Sequence, residues 1–349
     1  MTVIVNQSLY PVQAVERRFW HGNRYHAVSA KVTLAFDERG RLSGVQRAPG
    51  FALDEVWRDR PMRSSLLSPG DLIPFKPNTD VLVLGTARPP GGKPAAQWDA
   101  GLVIGKREKR LRLVGPRAWR HSLLSGWTLS APVPTSGVEL LYENAYGGVV
   151  DESKNQFAEG EFYADNPFGC GYIGRTRPDT NREYRAAQIE AWNGAISRFG
   201  QDVPVGGLGP VPGFFPSRAR YMGTYDKAWE EQHKPNIPLD MDLRYWNAAP
   251  PDQQADGYLR EGDQVTLIGL AQAPRLTLAM PPFTAMTVAH FEDGHAEAAQ
   301  LRLDTVLIDL DRSQVSLRYH RIIAWDERIN RIDVHCAPHH TLSGEVAHG

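Results

Sequence analysis

The sequence predicts a mainly β protein with an antiparallel β-sandwich or barrel-like body, long ordered Gly/Pro-rich loops and one or two short helices. Its 349 residues include 32 glycines and 26 prolines spread along the chain, which favours many turns and short strands. Hydrophobic residues make up 42% and charged residues 23%, as in folded globular proteins. Several short segments also alternate apolar with polar residues. We expect one large domain, residues 1–349.

Two strands are predicted in the first hundred residues. Within Tyr25–Phe36, the side chains of Val32, Leu34 and Phe36 fall on one side of an alternating pattern, as in a strand with one buried face. Asp80–Leu84 is a short apolar, β-branched run between a Pro-Asn pair and a glycine. This composition indicates a well-buried strand.

A basic run, KREKR at residues 106–110, separates two strand-like segments, Leu102–Gly105 and Leu111–Val114. We interpret the segments as the arms of a hairpin and the basic run as its solvated tip. The whole chain has a formal net charge of −1, from 39 basic and 40 acidic residues. Because no net field would attract polyanions, no nucleic-acid partner is expected.

Further strands are predicted toward the C-terminus. Residues 300–323 are interpreted as a β-hairpin that packs on the same body, because two alternating runs flank a short polar turn. The predicted strands are Val138–Tyr142, Gln264–Leu270, Arg275–Met280, Gln300–Leu310 and Gln314–Ile323.

Helical signals are confined to two segments. Asn181–Asn193 can begin with an asparagine cap, and Thr224–Gln232 contains good helix formers that end before a proline. Residues 149–223 are otherwise rich in Gly, Pro and Asn with little alternation. We interpret them as a long ordered excursion across the sheet surface.

Compartment signals indicate a cytoplasmic protein. The chain has only two cysteines, Cys170 and Cys336, too few for a disulfide-stapled secreted scaffold. No segment approaches the roughly twenty apolar residues of a membrane helix, and the N-terminus has no signal-peptide pattern. No membrane partner is therefore expected.

The common catalytic and cofactor motifs do not occur. The segment Gly85–Lys93 fails as a phosphate loop because Ala87 and Pro94 replace the required glycine and hydroxyl residue. Neither a G-x-S-x-G elbow nor an H-E-x-x-H helix is present. We therefore expect no catalytic residue and no cofactor.

One dense set of possible metal ligands lies at the start of the 335–349 tail. His and Cys side chains bind zinc, but their spacing here matches no zinc motif. Both a polar tail and a metal site remain open. The residues are His335, Cys336, His339 and His340.

A series of polar motifs, in fixed order, resembles the family called domain of unknown function 2169 over residues 25–282. The resemblance implies an adaptor or chaperone of type VI secretion. Such proteins help to load an effector, often one with a PAAR module, onto the VgrG spike, so the expected partners are an effector and spike components. The motifs are SPGDLIPFKPNTDVLVLGTARPPGG (68–92), VGPRAWR (114–120), ELLYENAYGG (139–148), NPFGCGY (166–172), GLGPV (207–211), MGTYDKAW (222–229), PNIPLDMDLRYWNAAPPDQ (235–253) and RLTLAMPP (275–282).

The motif side chains allow two interpretations. They hydrogen-bond loop backbone from within the protein, or they contact a partner directly. The candidates are Asp71, Lys76, Asp80, Arg117, Trp119, Glu143, Asn166, Asp240, Asn247, Asp252 and Gln253. A partner surface is predicted on the 149–223 excursion, as an exposed apolar patch. Its expected aromatic contributors are Phe214, Phe215, Tyr221 and Trp229.

Two other functions remain open. A carbohydrate-active or other hydrolytic enzyme on a β-sandwich could use loop carboxylates, with Glu143, Asp240, Asp242 and Asp252 as candidate acids. A purely structural subunit is the third possibility. The sequence does not fix the oligomeric state.

Overall fold

The computed structural model describes residues 2–18, 22–45, 48–150, 160–175 and 177–338. Its strands are β1 (Val3–Asn6), β2 (Val12–Arg18), β3 (Arg24–Phe36), β4 (Leu42–Gly44), β5 (Val56–Trp57), β6 (Leu66–Ser68), β7 (Asp80–Leu84), β8 (Thr86–Ala87), β9 (Gln97–Ile104), β10 (Arg107–Val114), β11 (Ala118–Ser122), β12 (Gly126–Leu129), β13 (Val138–Glu139), β14 (Tyr146–Gly147), β15 (Cys170–Gly171), β16 (Tyr184–Arg185), β17 (Ile189–Ala191), β18 (Gln264–Ile268), β19 (Arg275–Ala279), β20 (Phe283–Phe291), β21 (Ala296–Gln300), β22 (Arg302–Asp309), β23 (Gln314–Ala324) and β24 (Ile329–Pro338). The helices are α1 (Pro216–Ala219) and α2 (Lys227–Gln232), with 3-10 turns at Pro90–Gly92, Tyr142–Asn144, Leu243–Trp246 and Pro251–Gln253.

Two sheets form the body. Sheet I has the order β2-β3-β23-β22-β7, with β4 beside β3, and sheet II has the order β17-β10-β9-β18-β19. Most pairs are antiparallel, whereas β7 runs parallel to β22. In the described part of the chain neither sheet closes on itself. The predicted fold class is thus confirmed in its sandwich form.

The main core lies between sheets I and II. In β3, Val28, Ala30, Val32 and Leu34 are all buried, as a period of two requires for one inward face. Val32 and Leu34 share one apolar cluster with Leu102 of β9 and other sheet II residues. Sheet III, with the order β1-β24-β20-β21, packs on the first half of β3 through a second cluster that includes Val28.

The opposite, polar face of sheet I is covered by residues 69–76, the first part of the 68–92 motif. Lys31 of β3 pairs with Asp71 of this segment, and Arg318 and His320 of β23 bond its backbone carbonyls. The polar approach to β7 is therefore bound to the protein's own sheet.

Most predicted elements are present. The strands β3 and β7, the hairpin β22–β23 and helix α2 lie where they are predicted, and Asp226 caps α2 by accepting from the backbone N–H of Trp229 at 2.8 Å. Strand Val138–Tyr142 ends early, at Glu139. No described helix is long and apolar enough to span a membrane.

The predicted helix at Asn181–Asn193 is wrong. This segment contains strands β16 and β17 instead, and β17 pairs with β10 at the edge of sheet II. Ile189 is 1% exposed there. Tertiary pairing and burial outweigh a weak local helix propensity.

Candidate functional site

Asp80 joins two motif segments that lie about 170 residues apart. It is fully buried at the start of β7. One carboxylate oxygen accepts from Asn247 Nδ2 at 2.8 Å. The other accepts from the backbone N–H of Ala248 at 2.8 Å and pairs with Lys76 Nζ at 2.7 Å. Three motif residues, Lys76, Asn247 and Ala248, therefore converge on the carboxylate of Asp80.

Gln253, in the 235–253 motif, forms hydrogen bonds with both β7 and β10. Its Nε2 donates to the carbonyl oxygens of Val81 at 3.0 Å and Leu208 at 2.8 Å. Its Oε1 accepts from Lys109 Nζ at 2.9 Å, and Lys109 also pairs with Asp252 at 2.9 Å. Gln253 and Lys109 are both buried, whereas the Asp252 carboxylate is half exposed.

The interpretation of residues 106–110 as a solvated tip is wrong for Lys109. The turn consists of Gly105 and Lys106 only, and β10 begins at the next residue. Lys109 pairs across the ladder with Leu102, so it faces the core side of sheet II like Leu111. Burial lowers the pKa of the Lys109 ammonium, and the Asp252 carboxylate opposes that shift.

A second buried cluster lies between residues 69–76 and sheet I. Arg318 of β23 binds Asp304 through two hydrogen bonds, at 2.9 and 2.6 Å, and both side chains are 2% exposed. Arg318 also donates to the carbonyl oxygen of Asp71 at 2.9 Å. Lys76 Nζ reaches Thr305 Oγ1 at 2.8 Å. The cluster therefore links the first motif to the C-terminal hairpin.

The opposite charges of this cluster stabilise one another against burial. Burial alone would raise the pKa of Asp304, but the positive charges of Arg318 and Lys76 lower it below the ordinary value of 3.8. Burial lowers the pKa of Lys76, and the Asp80 carboxylate is the largest opposing influence. Removal of one partner would leave the other charge buried and unpaired.

His320 of β23 is buried and neutral beside this cluster. Its Nε2 donates to the carbonyl oxygen of Pro74 at 2.8 Å, so Nδ1 accepts from Ser29 Oγ at 2.8 Å. Burial lowers the pKa of His320 below the ordinary value of 6.5, against the opposing charge of Asp304.

We expect His320→Gln to flatten the acid side of the stability profile. Below pH 6.5 the unfolded chain binds a proton that the folded imidazole does not, so stability falls as pH falls. Glutamine can still donate to Pro74 and does not titrate. The slope of the unfolding free energy between pH 6.5 and 5 should decrease by up to about 1.4 kcal/mol per pH unit. Urea titrations at several pH values measure it, and an unchanged slope would show that His320 protonates in the folded state.

Other predicted residues also bond the protein's own backbone. Asn166 is fully buried and donates to the carbonyl oxygens of Tyr142 at 2.8 Å and Tyr146 at 3.0 Å. Glu143 accepts from the backbone N–H of Ser65 at 2.8 Å. These contacts hold the chain on both sides of β14.

Arg117 and Asp240 likewise have partners within the chain. Arg117 forms a buried ion pair with Glu190. Asp240 accepts from the backbone N–H of Thr224 at 3.0 Å and its hydroxyl at 2.7 Å, and these bonds lower the pKa of Asp240.

The aromatic residues expected in an exposed patch are buried or contact other groups of the protein. Phe215 is only 2% exposed and lies 5.3 Å from the Phe168 ring, so the predicted apolar surface is wrong for Phe215. Phe214 is half-buried beside it. Trp229 donates its indole N–H to a carbonyl oxygen, and Tyr221 lies beneath two guanidinium groups.

The possible metal ligands at the start of the C-terminal tail are only partly described. His335 and Cys336 are neighbours in β24, and burial raises the pKa of the Cys336 thiol to about 12. His339 and His340 lie outside the described residues. Within residues 2–338 as far as they are described, no three His, Cys, Asp or Glu side chains converge as metal ligands.

Several openings border the motif loops in the described part of the chain, and two of them contain buried arginines. The larger is a cleft of about 1010 Å³ between residues 48–71 and sheet I, and Lys31 and Arg318 lie in its floor. The smaller is a cavity of about 180 Å³, which we call the arginine cavity, lined by Arg107, Arg218 and Arg244. Their guanidinium groups come from β10, α1 and a 3-10 turn, which sequence spacing does not place together.

A hairpin tip carries two exposed leucines that sequence analysis missed. Leu123 and Leu124, between β11 and β12, expose 99% and 102% of their reference surface. On the strands of the same hairpin, Trp127 stacks on Phe199, with ring centroids 3.9 Å apart, and Trp119 packs edge-on against Phe199 at 5.6 Å. The sequence signal was an apolar pair inside a turn.

The fold and contacts define a β-sandwich protein whose motif loops are fixed by buried ion pairs and hydrogen bonds. The family model described as an uncharacterized protein conserved in bacteria (DUF2169) matches residues 21–320. The chain belongs to this family, and the match includes the Asp304–Arg318 pair beyond the 25–282 resemblance. Searches of curated proteins and of solved structures find no match.

Proposed function

We propose that this protein is a non-catalytic cytoplasmic adaptor that binds a type VI secretion effector and helps load it onto the VgrG spike. Family membership supports the proposal, because the resemblance of the motifs to this family implies an adaptor role. The observation that carries it is the Leu123–Leu124 tip. Large apolar side chains that are exposed to water next to packed aromatic residues are typical of protein contact sites.

The candidate acids of the hydrolytic alternative have separate partners. Glu143 binds Ser65, Asp240 binds Thr224, and Asp252 binds Lys109. Asp242 pairs with Arg244. A glycosidase needs two carboxyl groups that face each other across the scissile bond. The contacts therefore favour the adaptor over the hydrolase.

Co-expression with a neighbouring effector or spike gene tests the adaptor. We expect the tagged protein to retain its partner, and we expect the double variant Leu123→Ser/Leu124→Ser to weaken binding by at least about tenfold, because central apolar anchors each contribute more than about 1 kcal/mol. Affinity would be measured by calorimetry on the purified complex.

Leu9→Ser is the matched control, because Leu9 is 100% exposed at a different place. Both variants should melt like the wild type, since exposed side chains contribute little to folding. Full affinity in the double variant would remove the tip from the interface. No complex with any neighbouring effector or spike protein would contradict the adaptor.

A further inference from the structure

Three guanidinium groups line the arginine cavity. Among the described residues, two of them are paired with a carboxylate. Arg107 binds Asp256 through Nε at 2.9 Å, and Arg244 binds Asp242 through Nε at 2.9 Å. Both arginines lie at the exposed rim. Arg218, the third, is 8% exposed. The unbalanced positive charge is therefore the buried one.

Among the described residues, Arg218 forms hydrogen bonds only with neutral backbone carbonyl groups. Its Nε and Nη2 donate to the carbonyl oxygen of Tyr245 at 3.0 and 2.9 Å, and its Nη1 donates to that of Val211 at 2.6 Å. A guanidinium has five N–H donors, so two remain. Among the described residues no carboxylate lies within 4.0 Å of it. Glu55 and Asp80 act on Arg218 only from farther away.

We propose that the arginine cavity binds the carboxylate of a polypeptide C-terminus, with Arg218 as its principal partner. A buried charge without a counter-ion is costly, and a guanidinium fork matches a carboxylate in geometry. The volume of about 180 Å³ is smaller than that of pockets for drug-sized ligands, so it suits a single terminal residue.

Asn247 distinguishes a C-terminus from other carboxylates. Asn247 lines the same cavity, and among the described residues its Oδ1, which is closed to solvent, has no hydrogen-bond partner. Its orientation is fixed, because Nδ2 donates to Asn78 O at 2.9 Å and to Asp80 at 2.8 Å. A peptide C-terminus offers a carboxylate with an adjacent N–H, and we infer that a small shift of Asn247 on binding lets Oδ1 accept it. A side-chain carboxylate lacks that N–H at the same spacing.

This inference rests on the proposed function only in assigning the C-terminus to a partner polypeptide. The cavity itself can be tested with small probes on the isolated full chain. We expect N-acetylglycine to bind saturably with a dissociation constant of about 1 mM, as measured by calorimetry at low salt. N-acetylglycinamide, which lacks the charge, should not bind.

Arg244→Gln should weaken N-acetylglycine binding by about tenfold, because it removes a charged donor at the rim. Arg220→Gln is the matched control: it removes the same charge next to α1, outside the cavity lining. Both side chains are exposed, so both variants should fold.

Four outcomes would overturn the inference. These are no saturable binding, equal binding by the amide, equal loss in both variants, or binding of propionate or inorganic phosphate at least as tight as that of N-acetylglycine. Propionate represents an acidic side chain, and phosphate represents a tetrahedral anion. Positive titrations with a negative co-purification would contradict the adaptor function and leave the cavity assignment intact.

Discussion

Asp304→Asn should lower the free energy of unfolding by about 3–5 kcal/mol, because the buried Arg318 guanidinium loses its hydrogen-bonded carboxylate and keeps only Asp71, 3.8 Å away, as a counter-ion. Both side chains are 2% exposed and share two hydrogen bonds. An asparagine keeps the shape but turns one acceptor into a donor that faces a donor. Urea denaturation at pH 7 measures the loss.

Two further variants test whether the loss comes from the buried charge of Arg318. Asp326→Asn breaks an exposed pair with Arg328 and should change stability little, because water screens it. The double variant Asp304→Leu/Arg318→Met should recover most of the loss, since an apolar pair of similar volume needs no counter-ion. A single-variant loss below about 1 kcal/mol would mean that water enters and solvates Arg318.

The sandwich was predictable because strands such as β3 place apolar residues with a period of two and because β7 is a continuous apolar run after Asp80. In β3 every second residue from Val28 is buried, and this alternation is readable without any partner strand. The segment Asn181–Asn193 gave the wrong prediction for the converse reason. Its strands are two or three residues long and form by pairing with distant strands such as β10, which local sequence does not encode.

Only some residues of the buried polar clusters were predicted from the sequence. Asp80, Asn247 and Gln253 stand out because they are polar residues beside glycine and proline. Asp304 lies inside an ordinary strand pattern, at a bulge in β22, so nothing local marks it as the partner of Arg318. Such pairings depend on which residues of neighbouring strands lie side by side. This register cannot be read from the sequence of one strand.

Asp80 couples the buried ion pairs to the arginine cavity. The carboxylate that accepts from Lys76 also holds Asn247, which lines the cavity. A change at Asp80 therefore acts on stability and on the cavity through one side chain.

Asp80→Asn should cost about 3–5 kcal/mol of unfolding free energy. Lys76, 1% exposed, loses its paired carboxylate. Each carboxylate oxygen now accepts an N–H, one from Asn247 and one from Ala248, so the new amide places its own N–H₂ against a donor in either orientation. Urea titration measures the loss, and the second change Lys76→Met should reverse part of it by removing the stranded ammonium.

The double variant Asp80→Asn/Lys76→Met distinguishes the effect on stability from the effect on the arginine cavity. In Asp80→Asn/Lys76→Met the stranded ammonium is gone, but the new amide can accept from only one of Asn247 and Ala248, so Asn247 is held less firmly. We therefore expect partly restored stability together with N-acetylglycine binding weakened by about tenfold, the effect of weakening one hydrogen bond that orients Asn247. Recovery of both properties at once would contradict the coupling, because it would mean that the Asn78 carbonyl alone suffices to orient Asn247.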